Sequence, residues 1–195
     1  MIIDEALSWK SHVTNVARKI AKSVGIICKA SFCLSSISSL YTLYYSLVYP
    51  YFVYCIFVWG STYISNFNRI VFIQKKVIRI ISKSAFDAHI DPLFVQFKIF
   101  KFHDIYKFQT LKFMFLFKND VLPDLFKEMF SVRSQIHSYN IRNSNSLCTF
   151  SCRTNVRKFA IRFQEPVLFN RLNSDIKNNA ESIFLFKTKL KALLN

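Results

Sequence analysis

Glycine and proline are scarce in this sequence of 195 residues, which contains two glycines, Gly25 and Gly60, and four prolines. A P-loop needs several glycines so that backbone amides can surround a phosphate, and a G-x-S-x-G nucleophile elbow needs two close together. Gly25 and Gly60 are too far apart to serve in either motif. The sequence therefore excludes a P-loop nucleotide hydrolase and an α/β-hydrolase.

Acidic residues are also few, with 11 Asp and Glu against 27 Lys and Arg. Polymerases and nucleases that use two metal ions need several carboxylates that converge on the cations. The acidic residues here are scattered, and the adjacent pair Asp4 and Glu5 is better explained by a turn or a helix start. The four histidines form no H-E-x-x-H motif. We therefore expect no catalytic residue, and no metal or other cofactor bound by this chain.

The cysteines are odd in number and have no spacing typical of a disulfide framework. The five are Cys28, Cys33, Cys55, Cys148 and Cys152. Charged residues near the N-terminus interrupt any apolar run that would act as a signal peptide. These features favour a reducing compartment, the cytoplasm or the nucleus. Cys148 and Cys152 with His137 miss the usual C-x2-C spacing of a zinc site and lack a fourth ligand, so we expect free thiols.

Positive charge is what the chain has in excess, because its formal net charge is +16. Hydrophobic residues make up 52% of the chain, which is enough for a core, so a disordered tail is not expected. Such a charge favours polyanions, either nucleic acid or an anionic membrane surface. AT-rich coding would also enrich Lys together with Phe, Ile, Asn and Ser. The positions of the basic residues must therefore decide whether the charge has a function.

The first predicted helix has apolar residues spaced by three and four, with Ser8 as its expected N-cap. The apolar positions are Trp9, Val13, Val16, Ile20, Val24 and Ile27. At about 100° per residue, Arg18, Lys22 and Lys29 cluster on the opposite face. An ordinary solvated face would look the same on this helix alone.

Another helix is predicted from Asn66, its expected N-cap, to about Lys83. Its apolar face carries Ile70, Ile73, Val77, Ile80 and Ile81. A neighbouring stripe is basic and consists of Arg69, Lys76, Arg79 and Lys83. The two helices thus share one layout, an apolar face with a basic stripe. Random gain of lysine would not follow the helical period, so this repetition favours a functional surface.

No residue from Ala30 to Asn68 is charged, and Leu40 to Trp59 is long enough to span a bilayer. Pro50 stands at the centre of this segment, and several tyrosines and Ser46 add hydroxyl groups. Basic segments flank it on both sides, so the positive-inside rule finds no asymmetry. We therefore expect a buried hairpin of core helices, and membrane insertion is the less favoured alternative.

These patterns predict a mainly α-helical protein with three parts. Residues 1–85 are expected to form a thumb-like helical bundle, residues 86–130 a helical connection, and residues 131–195 a basic loop and a C-terminal helical extension. The region from Ser131 to Thr154 is rich in Ser, Asn and Arg with little periodicity, which is typical of a long loop. A last helix is predicted from about Ala180 to Leu194.

A series of short motifs runs along the whole chain. In the first helix and the segment before it they are Ile2-Ile3-Asp4-Glu5, Leu7-Ser8-Trp9, His12, Val16, Lys19-Ile20 and Gly25. In the middle they are Leu43-Tyr44, Leu47-Val48, Pro50, Tyr54-Cys55, Trp59-Gly60, Gln74-Lys75-Lys76, Ile78-Arg79, His89 and Pro92-Leu93-Phe94. Towards the C-terminus they are Asp104-Ile105-Tyr106, Leu122-Pro123, His137, Tyr139-Asn140, Arg142, Arg153-Thr154-Asn155, Asn170, Leu172 and Phe186-Lys187. No single motif is specific, but in their order they resemble the region that follows the catalytic palm in reverse transcriptases of jockey-type non-LTR retrotransposons.

The resemblance implies a helical thumb that holds a primer–template duplex, followed by a post-thumb region. The family's Tyr/Phe-x-Asp-Asp box, its fingers and any endonuclease are absent from this chain. Phe169 replaces the family's usual Trp, and no proline follows Leu172. The intact parent would be an RNA-directed DNA polymerase that uses Mg²⁺, and this piece would bind RNA and RNA–DNA duplex beside the missing palm and fingers.

The residues expected to contact the duplex backbone are the basic ones of the two helices. They are Arg18, Lys22, Lys29, Arg69, Lys76, Arg79 and Lys83. Two alternatives from other classes stay open at this point. One is a small membrane protein anchored by residues 40–59, and the other is a host-recruited RNA-binding protein that needs no polymerase partner.

Overall fold

A computed structural model describes residues 1–85, 87–136, 146–173, 176–177 and 182–194 of the chain. The described residues are mainly α-helical, and their one extended pairing is an isolated antiparallel bridge between Val132 and Leu147. The predicted fold class is therefore confirmed.

The chain divides into two compact units, residues 1–106 and residues 107–194. The first unit includes residues 87–106, which the sequence pattern assigns to a separate connection. The reason is that Ile90, Phe94, Ile99, Phe102 and Ile105 belong to the same buried core as the helices before them.

The first helix, α1, comprises Lys10–Cys33, and its buried positions follow the predicted apolar face. The expected N-cap at Ser8 is wrong, because the cap position is Trp9 in a left-handed conformation with φ of 58°. The Asp4 carboxylate accepts the Ser8 backbone N–H at 2.7 Å and the Ser8 hydroxyl at 2.5 Å. These two bonds hold Ser8 in a turn before the helix, and the hydroxyl contact lowers the pKa of Asp4.

Three helices follow in the uncharged segment: α2 (Ile37–Leu47), α3 (Tyr49–Val53) and α4 (Ile56–Trp59). Pro50 lies in the first turn of α3, where backbone N–H groups have no carbonyl partner within the helix. The N–H that proline lacks therefore costs the helix no hydrogen bond. Cys55 adopts a left-handed conformation with φ of 50° and separates α3 from α4. Residues 40–59 are thus divided among three helices. In the described part of the chain, no helix is both long and apolar enough to cross a bilayer.

The next long helix, α5, comprises Ile64–Ser82. The expected N-cap at Asn66 is wrong, because Tyr63 holds the cap position and Asn66 lies inside the first turn. The Asn66 side-chain amide instead donates to the Ser8 carbonyl and to the Thr62 hydroxyl, each at 3.2 Å. The Asn66 side chain therefore does not cap α5. It connects the start of α5 to the segment that leads into α1.

Helices α1 and α5 run parallel, as the contacts at their ends show. Thr62, just before α5, donates its hydroxyl to the carbonyl of Ser8, just before α1, at 2.9 Å. At the other ends, the Lys83 ammonium group donates to the carbonyl of Ser35 at 3.3 Å. The intervening helices α2 to α4 return the chain to the start of α1.

A buried glutamine lies in the core of the first unit. Gln74 donates to the Tyr44 hydroxyl at 3.2 Å and to the Phe100 carbonyl at 2.9 Å, and it accepts the Phe102 backbone N–H at 2.8 Å. The glutamine therefore connects α5 to α2 and to the start of α7 (Phe102–Lys118). Burial raises the pKa of Tyr44, so this hydroxyl stays protonated. The first unit is completed by α6 (Asp91–Gln96).

The second unit begins in α7 and continues through a 3₁₀ turn (Asp124–Phe126) into shorter helices. These are α8 (Arg133–Ile136), α9 (Asn155–Lys158), α10 (Ile161–Asn170) and α11 (Ile183–Leu194). Phe115 of α7 stacks on Phe186 of α11 with ring centroids 4.3 Å apart. The predicted loop from Ser131 to Thr154 contains α8, and its residues 137–145 lie outside the described residues.

Candidate nucleic-acid interface

The basic stripe of α1 lies on the outer side of the first unit. Arg18, Lys22 and Lys29 are all exposed, whereas Val13, Ile20 and Ile27 on the same helix are buried. The helical period of about 3.6 residues places these two sets on opposite faces, as the sequence predicts. The three basic side chains are therefore directed into solvent by the burial of the apolar face.

The basic stripe of α5 is also at the surface, since Arg69, Lys76 and Lys83 are exposed. Phe72, which lies between Arg69 and Lys76 in the sequence, has 59% of its surface exposed. The sequence pattern did not single out Phe72. Phe72 could have been found from the sequence, because it is an aromatic residue at a position where the helical period predicts a polar one.

Two members of this stripe also make contacts within the protein. The Arg79 guanidinium is half-buried and donates from Nε and Nη2 to the Ala88 carbonyl at 3.4 and 3.3 Å, which fixes the loop before α6. Lys83 follows the end of α5 in a left-handed conformation with φ of 52° and donates to Ser35. Arg79 thus has a structural role that the sequence pattern did not indicate.

We refer to Arg18, Lys22 and Lys29 as the α1 ridge, and to Arg69, Lys76, Arg79 and Lys83 as the α5 ridge. Because α1 and α5 are parallel with matched ends, the two ridges extend along the same length of the helix pair. Other sides of these helices are covered. Asn15 and Lys19 of α1 line a cavity together with Tyr51 of α3, and Gln74 of α5 contacts α2.

No acidic residue occurs in α1 or in α5. Among the residues that the structure describes, Arg18, Lys22, Lys29, Arg69 and Lys76 form no ion pair. Elsewhere in the chain, Lys101 pairs with Asp91 and Lys127 with Asp124, each at 2.7 Å. These five charges are therefore not neutralised by carboxylates of the described residues, and their fields add in the solvent beside the helices.

Most of the tyrosines between residues 41 and 54 belong to the core and its edge. Tyr41 and Tyr45 pack with ring centroids 4.8 Å apart, and Tyr45 and Tyr49 pack at 5.0 Å. Tyr44 is fully buried, whereas Tyr54 is exposed. Tyr54 is thus the member of this group best placed to contact a partner.

The histidine of α1 is also part of the core. His12 is buried, its Nδ1 accepts the Ile2 backbone N–H at 3.2 Å, and its ring meets the Trp59 ring edge-on at 5.5 Å. Burial lowers the pKa of His12, and the positive charges of the chain's amino terminus and Lys19 lower it further. The imidazole is therefore neutral and packs as an aromatic side chain.

Metal ligands are not assembled among the described residues, where no group of three or more His, Cys, Asp or Glu side chains is placed to hold a metal ion. His137, which would belong to a zinc set with Cys148 and Cys152, lies outside the described residues. Both of these cysteines are free thiols.

The chain has no match among protein-family models, curated proteins or solved structures. No relative therefore supplies a function by comparison. The proposal below depends on the residues of this chain and on the resemblance noted in its sequence.

Proposed function

We propose that this chain is the thumb and post-thumb part of a non-LTR retrotransposon reverse transcriptase. Its role is to hold the primer–template duplex, RNA–DNA or RNA, in the cytoplasm or nucleus. The catalytic carboxylates and their Mg²⁺ belong to the palm of the parent enzyme, which is not part of this sequence. The chain itself contributes binding and no chemistry.

The observation that carries this proposal is the exposure of basic residues along two parallel helices that contain no acidic residue, namely Arg18, Lys22 and Lys29 of α1 and Arg69, Lys76 and Lys83 of α5. Contacts to phosphates position a protein on a duplex without reading its sequence. An RNA–DNA hybrid resembles A-form RNA, whose deep major groove side chains cannot read, so recognition depends on backbone shape and 2′-hydroxyls. Rows of exposed cations along two parallel helices suit such a backbone-directed contact.

The competing explanation is that the lysines reflect base composition and bind nucleic acid through net charge alone. The last helix offers a matched comparison, since Lys187, Lys189 and Lys191 of α11 also represent three positive charges. Lys187 and Lys189 are partly buried there, and the burial of Lys112 beside Lys187 lowers the pKa of Lys112. If position matters, the ridge and α11 will differ in their effect on binding.

The test measures the affinity of the purified chain for a short RNA–DNA hybrid by fluorescence anisotropy over a range of salt concentrations. We expect the Arg69→Gln/Lys76→Gln/Lys83→Gln variant to reduce the slope of log K against log salt by about three units, one for each phosphate contact removed. The control Lys187→Gln/Lys189→Gln/Lys191→Gln is expected to change the slope by less than one unit. Equal losses from the two variants would show that net charge, and no specific surface, accounts for binding.

The parentage is tested separately by reading the genomic DNA upstream of the Met1 codon. A Tyr/Phe-x-Asp-Asp coding block there, in frame or frameshifted, is the expected result. Unrelated sequence behind a promoter would contradict the retrotransposon origin and favour an independent RNA-binding protein.

A further inference from the structure

The second unit contains a groove between α10 and the extended segment of residues 147–152. At the C-terminal end of α10, the Asn170 side chain accepts the Leu147 N–H at 3.1 Å and donates to the Leu147 carbonyl at 2.9 Å. Near its N-terminal end, the Arg162 guanidinium lies 5.1 Å from the centre of the Phe150 ring. These contacts fix the segment antiparallel to the helix, so that the groove has two defined ends.

A cavity lies at each end of this groove, and both have aromatic walls and cationic side chains. The larger, of about 420 Å³, is lined by Phe117, Phe130 and Phe169, with Lys118 and Lys127 beside them. Lys127 also pairs with Asp124, and Asp120 is a further lining residue, so this end contains acid as well as base.

The smaller cavity, of about 210 Å³, is lined by Phe150 and Phe163 together with Arg157 and Arg162. No acidic residue is among its lining residues, and none occurs from Ser151 to Gln164. Two guanidiniums beside two aromatic rings are a combination that recognises phosphates and π-faces at the same site.

We propose that this groove binds a short stretch of single-stranded nucleic acid, with bases against Phe150 and Phe163 of the smaller cavity and phosphates at Arg157 and Arg162. Paired bases have no exposed face to place in such cavities, whereas unpaired bases stack on aromatic side chains regardless of sequence. The site is separate from the ridges of the first unit and takes a different ligand. It does not depend on their binding a duplex.

The acidic residue of α10 does not oppose this assignment. Glu165 has no exposed surface, and both carboxyl oxygens are buried without a hydrogen-bond partner. Burial raises the pKa of Glu165 to about 9, so the side chain is uncharged at neutral pH. The surface of α10 thus presents no negative charge to a phosphate.

The first test measures anisotropy of a labelled single-stranded RNA oligonucleotide with charge variants of the second unit. The Arg157→Gln/Arg162→Gln variant is expected to lower affinity about tenfold or more. The control Arg153→Gln/Lys158→Gln removes the same charge from exposed side chains nearby that do not line the cavity, and about a two- to threefold loss is expected. Equal losses of affinity from the two double variants would contradict binding of the oligonucleotide in the groove.

The second test removes an aromatic wall. Phe150 is 45% exposed, so Phe150→Ala should leave the fold intact, and we expect it to weaken single-strand binding about fivefold or more. The control is Phe184→Ala, which truncates a side chain that is 74% exposed and lines neither cavity, and no change is expected. Circular dichroism confirms that each variant folds. Unchanged affinity of a folded Phe150→Ala variant would contradict base stacking at this site.

A blunt hybrid duplex separates this proposal from the duplex-binding proposal. The groove variants are expected to bind the blunt duplex like the unmodified chain. The α5 ridge variant is expected to bind the blunt duplex poorly and the single-stranded oligonucleotide like the unmodified chain. Loss of blunt-duplex binding with both sets of variants would show that the groove does not distinguish single strands. If neither set of variants loses blunt-duplex binding, the proposal that the ridges bind a duplex is contradicted. The single-strand assay alone then tests the groove.

Discussion

Replacing Gln74 with leucine removes three hydrogen bonds from the core of the first unit while changing side-chain volume little. The Tyr44 hydroxyl and the Phe100 carbonyl lose a donor, and the buried Phe102 backbone N–H loses its acceptor. Each such bond contributes about 0.5–1.5 kcal/mol net, and one unsatisfied buried donor costs about 1–3 kcal/mol. Leucine recovers part of this loss through apolar burial. We therefore expect Gln74→Leu to lower the free energy of unfolding by about 2–4 kcal/mol.

Urea denaturation followed by tryptophan fluorescence measures this change in the first unit alone. Both tryptophans of the chain, Trp9 and Trp59, lie in that unit. For a slope of about 2 kcal/mol per molar urea, the midpoint should fall by roughly 1–2 M. The control Gln96→Leu alters an exposed glutamine of α6 and is expected to stay within about 0.5 kcal/mol of the unmodified chain. Equal midpoints for Gln74→Leu and Gln96→Leu would refute the stabilising role of the buried network.

Two further predictions concern the second unit and chemistry. The carboxyl of Glu165 has a pKa of about 9 in the folded chain and an ordinary value of 4.5, so the folded state binds the extra proton and stability falls as pH rises from about 4.5 to 9. Glu165→Gln should remove this dependence and raise stability at neutral pH by about 1–3 kcal/mol, measured by circular dichroism melts across pH; unchanged pH dependence would contradict the burial of an ionisable group. The pure chain should show no primer extension with Mg²⁺ or Mn²⁺, because a converging set of carboxylates is lacking in its sequence, and template-dependent incorporation of nucleotides would refute this.

The helical fold and the exposure of the ridges followed from periodicity. A spacing of three and four between apolar residues specifies which face of α1 and α5 is buried, and the basic side chains must then occupy the remaining face. Arg18, Lys22, Lys29, Arg69 and Lys76 are accordingly exposed. Whether these residues bind nucleic acid stays a prediction.

The helix caps did not follow from residue preferences. Ser8 and Asn66 have side chains that favour N-cap positions, but neither occupies the cap. Asp4 binds Ser8 in a local turn, and Asn66 reaches the Ser8 carbonyl, which is brought close by the parallel packing of α1 and α5. Local preference amounts to about 1 kcal/mol at a cap, so a competing hydrogen bond, local for Ser8 and tertiary for Asn66, can override it.

The groove of the second unit could not be predicted from the helical periodicity of the sequence. Phe150 and Arg157 lie in a region with little pattern, and only the folded chain places them beside Arg162 and Phe163. Arg79 is similar, since its bonds to Ala88 depend on the path of the loop before α6.

By itself, the sequence determined that the chain is mainly helical, strongly basic and too poor in glycine to build a P-loop. Those properties depend on composition and on spacings within one helix, which are local. The tertiary structure alone decided the parallel pairing of α1 and α5, the buried bonds of Gln74, the uncharged burial of Glu165 and the groove beside α10. Each of these joins residues that are distant in sequence or depends on removal from water, and neither condition is encoded in the period of a single helix.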